Sequence, residues 1–196
     1  GFPSRLAVFL DRDGTINEER GYICTSEDIV LLPTACRAIR RLNALRVPVV
    51  IITNQSAIGR GLMTGTEFEA VTTAFRKALH DSDAYYDALY YCPHVPDAAH
   101  PCPCRKPQPG LLLRAATELN LDLSKSYMVG DKLTDLEAGH AAGCESVLVR
   151  TGFGEKTYRS LKDHHRQPAY IANTLLQAVE WIIDEIKNCR TKPELG

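Results

Sequence analysis

Apolar positions along the chain switch between two spacings. Short continuous runs at 6–10, 47–53, 88–91, 126–129 and 146–149 read as buried strands, with 169–171 as a sixth. Pro48 stands near the start of its run, where a missing N–H is tolerated. Between these runs the apolar residues recur at helical spacing. Pro33 and Thr34 open a helix carrying Ala35, Ile39, Leu42 and Leu45. Thr66 is placed to cap a second helix, whose stripe is Phe68, Val71, Phe75 and Leu79. Residues 111–119 and 134–142 read as two more, and Asn173 is placed to cap a last helix over about 174–188 with Leu175, Val179, Ile182, Ile183 and Ile186. Strands alternating with helices predict a Rossmann-like three-layer α/β/α fold with a central parallel sheet, in a single domain spanning 1–196.

In such sheets ligands bind beyond the carboxyl ends of the strands. The polar signatures lie there: Asp11 and Asp13 after the first strand, Thr53 and Asn54 at the second, Cys92 at the third, Asp131 at the fourth.

Composition narrows the classes. With 44% hydrophobic and 24% charged residues and a formal net charge of -1, nothing points to a nucleic-acid or membrane partner. No apolar run approaches the roughly 20 residues of a membrane span, and 6–10 is too short for a signal peptide. A cytoplasmic monomer is the expectation. Seven cysteines, an odd number, argue against a disulfide framework in that setting.

Two constellations carry chemistry. Asp11 and Asp13 stand two apart after a buried strand, and extended geometry would point both carboxylates one way. Asp131, in Gly130-Asp131-Lys132, can add a third, and a hard cation such as Mg²⁺ would relieve their repulsion. The second constellation is Cys92-Pro93-His94 and Cys102-Pro103-Cys104, a Cys-x-His pair and a Cys-x-Cys pair seven residues apart. Four such ligands suit a closed, structural Zn²⁺ site. Prolines 93, 96, 101 and 103 stiffen this zinc loop, 92–104, which leads directly into Arg105 and Lys106. His100 is a competing ligand or a bystander.

Asp11-Arg12-Asp13-Gly14-Thr15 resembles the first motif of the haloacid dehalogenase superfamily of phosphatases. Ile52-Thr53-Asn54-Gln55 resembles the second, Lys106 in Arg105-Lys106-Pro107 the third, and Gly130-Asp131-Lys132-Leu133-Thr134-Asp135 the fourth. The resemblance implies Asp11 as nucleophile, Asp13 as general acid and base, and Thr53, Asn54 and Lys106 around the phosphoryl group. It further implies Mg²⁺ held by Asp11, Asp131 and the backbone carbonyl of Asp13, with Asp135 a turn behind to orient Lys132 or a metal-bound water.

The zinc loop, Ser56-Ala57-Ile58-Gly59-Arg60-Gly61 and Lys132 resemble the D-glycero-D-manno-heptose 1,7-bisphosphate phosphatases. Histidinol-phosphate phosphatases share the aspartate motif and the zinc loop and are the alternative. The chain departs from the usual heptose pattern at Val95, where histidine is frequent, and in its short zinc loop. Neither 17–30 nor 55–65 has room for a cap domain, so a capless site open to a sugar bisphosphate is implied. Arg60, Arg105 and Lys132 are the candidate cations for its second phosphate.

Overall fold

The computed structural model describes residues 4–191. Six strands form one all-parallel sheet in the order β3-β2-β1-β4-β5-β6: β1 Val8–Leu10, β2 Val49–Asn54, β3 Ala88–Cys92, β4 Tyr127–Gly130, β5 Glu145–Val149 and β6 Tyr170–Ala172. Helices α1 Ala35–Ala44, α2 Ser56–Gly59, α3 Gly65–His80, α4 Gly110–Leu119, α5 Leu133–Ala142, α6 Gly154–Ser160 and α7 Leu175–Thr191 connect them.

Strand side chains alternate between the two sheet faces, and each face has its own core. Val8, Leu10, Val49, Ile51, Val129 and Val147 pack with residues of α1, α3 and α7. Ala7, Phe9, Val50, Ile52 and Met128 pack with α4 and α5. Both sheet faces are thus dry, which is why the strands read as continuous apolar runs. Each large side chain buried this way contributes about 1.5–3 kcal/mol. At the far edge Trp181 of α7 stacks on Tyr170 of β6, centroids 4.9 Å apart.

Two caps and one helical stripe differ from expectation. Thr64, not Thr66, caps α3, in a reciprocal capping box with Glu67. Both threonines have a glutamate three residues on, Glu67 and Glu69, but the helix begins at Gly65, so Thr64 is the residue at the cap position and Thr66 already lies inside the first turn. Thr174, not Asn173, accepts the Gln177 N–H at the start of α7. Leu45 caps the end of α1 and is exposed, outside the stripe. The last helix extends to Thr191, beyond the expected end near 188; residues 192–196 lie outside the described part of the chain. No described helix is long and apolar enough to cross a membrane.

The sheet order reverses between β1 and β4, the neighbours from which the chain winds outward in opposite directions. Their carboxyl ends define the crevice where such folds bind ligands. Asp11 follows one and Asp131 the other.

Candidate active site

The Asp11 N–H donates to the Val129 carbonyl at 3.0 Å, extending the β1–β4 pairing by one residue. The chain then turns: the Arg12 carbonyl accepts from the N–H groups of Thr15, Ile16 and Asn17. Gly14 takes φ +85°, and a Cβ there would collide with the Asp131 carboxylate. Asp131 is gripped from a second side by the loop after β5. Phe153 N–H donates to its Oδ2 at 2.8 Å, and the Thr157 hydroxyl donates to its carbonyl at 2.7 Å. Gly152, at φ +54°, leaves room for that carboxylate, and Thr151 donates to the Gly14 carbonyl at 2.7 Å.

Carboxylate oxygens of Asp11, Asp131 and Asp135 all come within 4.8 Å of one another, and all three residues are buried. The expectation that Asp13 shares this carboxylate cluster is corrected. The backbone has left extended geometry at Arg12, and the Asp13 carboxylate is taken up by Arg12, Asn17 and Gln55. Asp135 occupies its place, because one helical turn beyond the fourth strand returns the side chain to the crevice.

Lys106 enters this acidic cluster fully buried. Its Nζ lies 2.7 Å from Asp11 Oδ1 and 2.7 Å from Asp135 Oδ1, and donates to the Ile52 carbonyl at 2.8 Å. Burial opposes its charge, but Asp11 and Asp135 outweigh it and raise its pKa. Burial likewise acts to raise the Asp11 pKa, yet Lys106 and then Lys132 overcome it, so Asp11 is held ionised. Asp131 moves the other way. Burial first, then Asp11 and Asp135, push it up to about 9.

Asp135 thus pairs with Lys106 and accepts the Lys132 backbone N–H at 3.1 Å, and the charge of the Lys132 ammonium also acts on it. That ammonium lies 3.8 Å from Glu19 and over the Phe153 ring.

Asp11 Oδ2 and Asp131 Oδ1 are buried without a hydrogen-bond partner. Two orphaned carboxyl oxygens on facing strand ends, on groups whose burial and crowding raise the Asp131 pKa, fit a hard divalent cation that would answer the charge of both.

Thr53 is buried, its hydroxyl accepting from Gln55 Nε2 at 2.9 Å. Asn54 exchanges two hydrogen bonds with the Lys106 backbone, at 3.1 and 3.2 Å, so it also aims the lysine. Cys92 Sγ, His94 Nδ1, Cys102 Sγ and Cys104 Sγ converge with contacts of 3.0–3.7 Å. Tetrahedral Zn²⁺ at ordinary bond lengths separates its ligands by about 3.5–3.8 Å. His100 points away, exposed and paired with Asp97. The loop is tied to the crevice through Gln55 N–H to Cys92 O, Gly59 N–H to Pro93 O, and Arg105 to His94 O. Arg60 stays at the rim over the Tyr22 ring, 5.8 Å from its centroid.

Arg12, Asn17 and Gln55 around Asp13, and Thr151, Phe153 and Thr157 around Asp131, escaped the sequence reading. Arg12 stands inside Asp11-Arg12-Asp13-Gly14-Thr15 and Gln55 inside Ile52-Thr53-Asn54-Gln55. The loop after β5 carries no signal of its own.

An open parallel sheet with an aspartate after β1, a buried lysine and an acidic pair after β4 is the architecture of the haloacid dehalogenase superfamily. Residues 103–178 match the HAD-hydrolase-like family profile. The chain is 42% identical over 187 residues to D-glycero-D-manno-heptose-1,7-bisphosphate 7-phosphatase of Thermosynechococcus vestitus, covering 91% of this chain and 95% of that protein. It is 44% identical over 152 residues to D-glycero-beta-D-manno-heptose-1,7-bisphosphate 7-phosphatase of Escherichia coli, covering 74% and 80%. Among solved structures, D,D-heptose 1,7-bisphosphate phosphatase from B. bronchiseptica, complexed with magnesium and phosphate, superimposes with a TM-score of 0.84 at 34% identity, covering 92% of this chain and 99% of that one. The chain belongs to the D-glycero-D-manno-heptose-1,7-bisphosphate 7-phosphatase family of that superfamily.

Proposed function

We propose that the protein hydrolyses the C7 phosphate of D-glycero-D-manno-heptose 1,7-bisphosphate and releases heptose 1-phosphate, feeding bacterial heptose-nucleotide and surface-glycan synthesis such as that of lipopolysaccharide. The observation that carries this is the nucleophile's setting: Asp11 is buried and ionised, with Lys106 on one oxygen and the other unpartnered beside Asp131. The names of relatives at 42–44% identity support the substrate.

Asp11 attacks phosphorus as the sugar oxygen leaves, and an aspartyl-phosphate forms. Asp13 protonates that oxygen, then deprotonates the water that attacks the aspartyl-phosphate. Lys106 faces the charge of the transferring group, with Thr53 and the remaining amide hydrogen of Asn54 as donors. Asp11, Asp131, Asp135 and the Asp13 carbonyl are the groups that would hold Mg²⁺, which when bound supplies positive charge against the phosphoryl oxygens. Cys92, His94, Cys102 and Cys104 would hold Zn²⁺ in a closed structural role. Arg60, Arg105 and Lys132 would receive the second phosphate. The reading is of one catalytic domain acting as a cytoplasmic monomer.

The deciding experiment compares kcat/KM for the α- and β-heptose 1,7-bisphosphates and for histidinol phosphate, with Mg²⁺ present. A marked preference for a heptose bisphosphate is expected. A preference for histidinol phosphate overturns the substrate, and no phosphate release from any of the three overturns the activity.

A further inference from the structure

Arg12 is among the largest fully buried side chains of the protein, at 0% exposure. A guanidinium shut off from water needs its charge answered. The neighbouring Asp13 answers it: Arg12 Nε donates to Asp13 Oδ1 at 2.8 Å and Nη2 to Oδ2 at 3.3 Å. Two amides converge on the same carboxylate. Asn17 Nδ2 donates to Oδ1 at 2.9 Å and Gln55 Nε2 to Oδ2 at 3.3 Å. Arg12 is itself immobilised, its guanidinium 6.0 Å from the Phe75 centroid and its carbonyl fixed by the turn.

The two Asp13 oxygens are not equivalent. Oδ1 accepts two short hydrogen bonds, which fill its lone-pair positions. Oδ2 has two long contacts at 3.3 Å, near the limit of useful geometry. The side chain keeps 14% of its surface exposed, so it is reachable from the crevice.

We propose that Arg12 is a positioning residue for proton transfer, clamping Asp13 through Oδ1 and reserving Oδ2 as the oxygen that carries the proton. The proposal rests on the phosphatase reading above. In the first half-reaction the bond from Asp11 to phosphorus forms, the phosphorus–sugar oxygen bond breaks, and the Oδ2 proton passes to the leaving oxygen. In the second, water forms its bond to phosphorus, the Asp11–phosphorus bond breaks, and Oδ2 takes the water's proton. Arg12 acts only through the Asp13 carboxylate and takes no part itself in the bonds that form and break.

The test exploits leaving groups. A sugar alkoxide needs a proton to depart, whereas p-nitrophenolate does not. Asp13's service as an acid is therefore separated by comparing sugar-phosphate turnover with the pre-steady-state burst of p-nitrophenolate. General acid–base catalysis is worth about 10²–10⁴ in rate. Arg12→Met is expected to lower kcat on the heptose bisphosphate about 10²-fold with KM little changed, while the burst rate stays within about threefold. Arg12→Lys, which keeps the charge but loses the fork, should fall between. In an Asp13→Asn background, Arg12→Met should cause no further loss on the sugar substrate. Equal losses on both substrates, no loss on either, or a further loss in that background each overturns the proposal. Should Arg12→Met lack a cooperative thermal transition, the same ratio in Arg12→Lys decides. A wild-type chain inactive on both substrates sinks the phosphatase reading and this role with it; an active wild type with unsplit losses sinks this role alone.

Discussion

Lys106 is the residue on which the charge balance of the crevice turns. Its ammonium sits 2.7 Å from both Asp11 and Asp135, inside a cluster of three buried carboxylates. Replacing it with methionine leaves those carboxylates without their buried partner, a change that typically destabilises by about 3–5 kcal/mol. Lys106→Met is expected to lower kcat about 10²–10³-fold, the usual cost of deleting one stabiliser of developing charge. Urea denaturation beside steady-state kinetics checks both effects, and a kcat within threefold of wild type would remove Lys106 from the catalytic set. The convergence of Asp11, Asp131 and Lys106 on one crevice was legible in the sequence because strand ends and motif order place them. The carboxylate partnership of Asp135 was not, because it depends on the pitch of α5 bringing it back to the crevice beside Lys106.

At the scale of elements, two loops brace the site. The turn after β5 closes on Asp131 through Phe153 N–H and Thr157, and Gly152 fits only because it lacks a Cβ. Gly152→Ala is expected to weaken Mg²⁺ binding about 10–100-fold, as losses of groups supporting a metal ligand do. The Mg²⁺ concentration for half-maximal activity and the Mg²⁺-induced rise in Tm should both report it; an unchanged midpoint would show that the loop is not a brace. The zinc loop joins β2 and Lys106 through Gln55, Gly59, Asn54 and Arg105. Stripping Zn²⁺ with a thiol-competent chelator, or Cys104→Ser, should lower Tm and phosphatase activity together, because metal binding and loop folding are one equilibrium. Readdition of Zn²⁺ should restore the chelated wild type. A chelated protein with unaltered Tm and rate would make the cluster incidental.

Across the whole molecule, the sheet reversal between β1 and β4 gathers the chemistry at one edge, and the described inserts around it are loops without a cap domain. An open crevice must hold a bisphosphate by its two anionic ends. Arg60→Ala and Arg105→Ala are therefore expected to raise KM for the heptose 1,7-bisphosphate about 10–100-fold each with kcat retained, in line with about 1.5–3 kcal/mol for a charged hydrogen bond. The effect should vanish for a monophosphate. Equal changes on both substrates would place these arginines elsewhere.

The sequence by itself determined the layers, the strands and the edge at which they end. Apolar periodicity and charged motifs are local properties of a chain, and a parallel sheet converts them into position. It also marked out the cysteine and histidine cluster, though not the choice between His94 and His100; the fold gathers His94 with the three thiols and turns His100 out to Asp97. Only the tertiary structure decided which aspartates share the carboxylate cluster. Extended spacing placed Asp13 with Asp11. A turn three N–H groups deep at the Arg12 carbonyl broke that spacing, and a buried guanidinium captured the freed carboxylate. Which partner a buried charge finds is set by what else is shut in with it, and that is a property of the packed crevice.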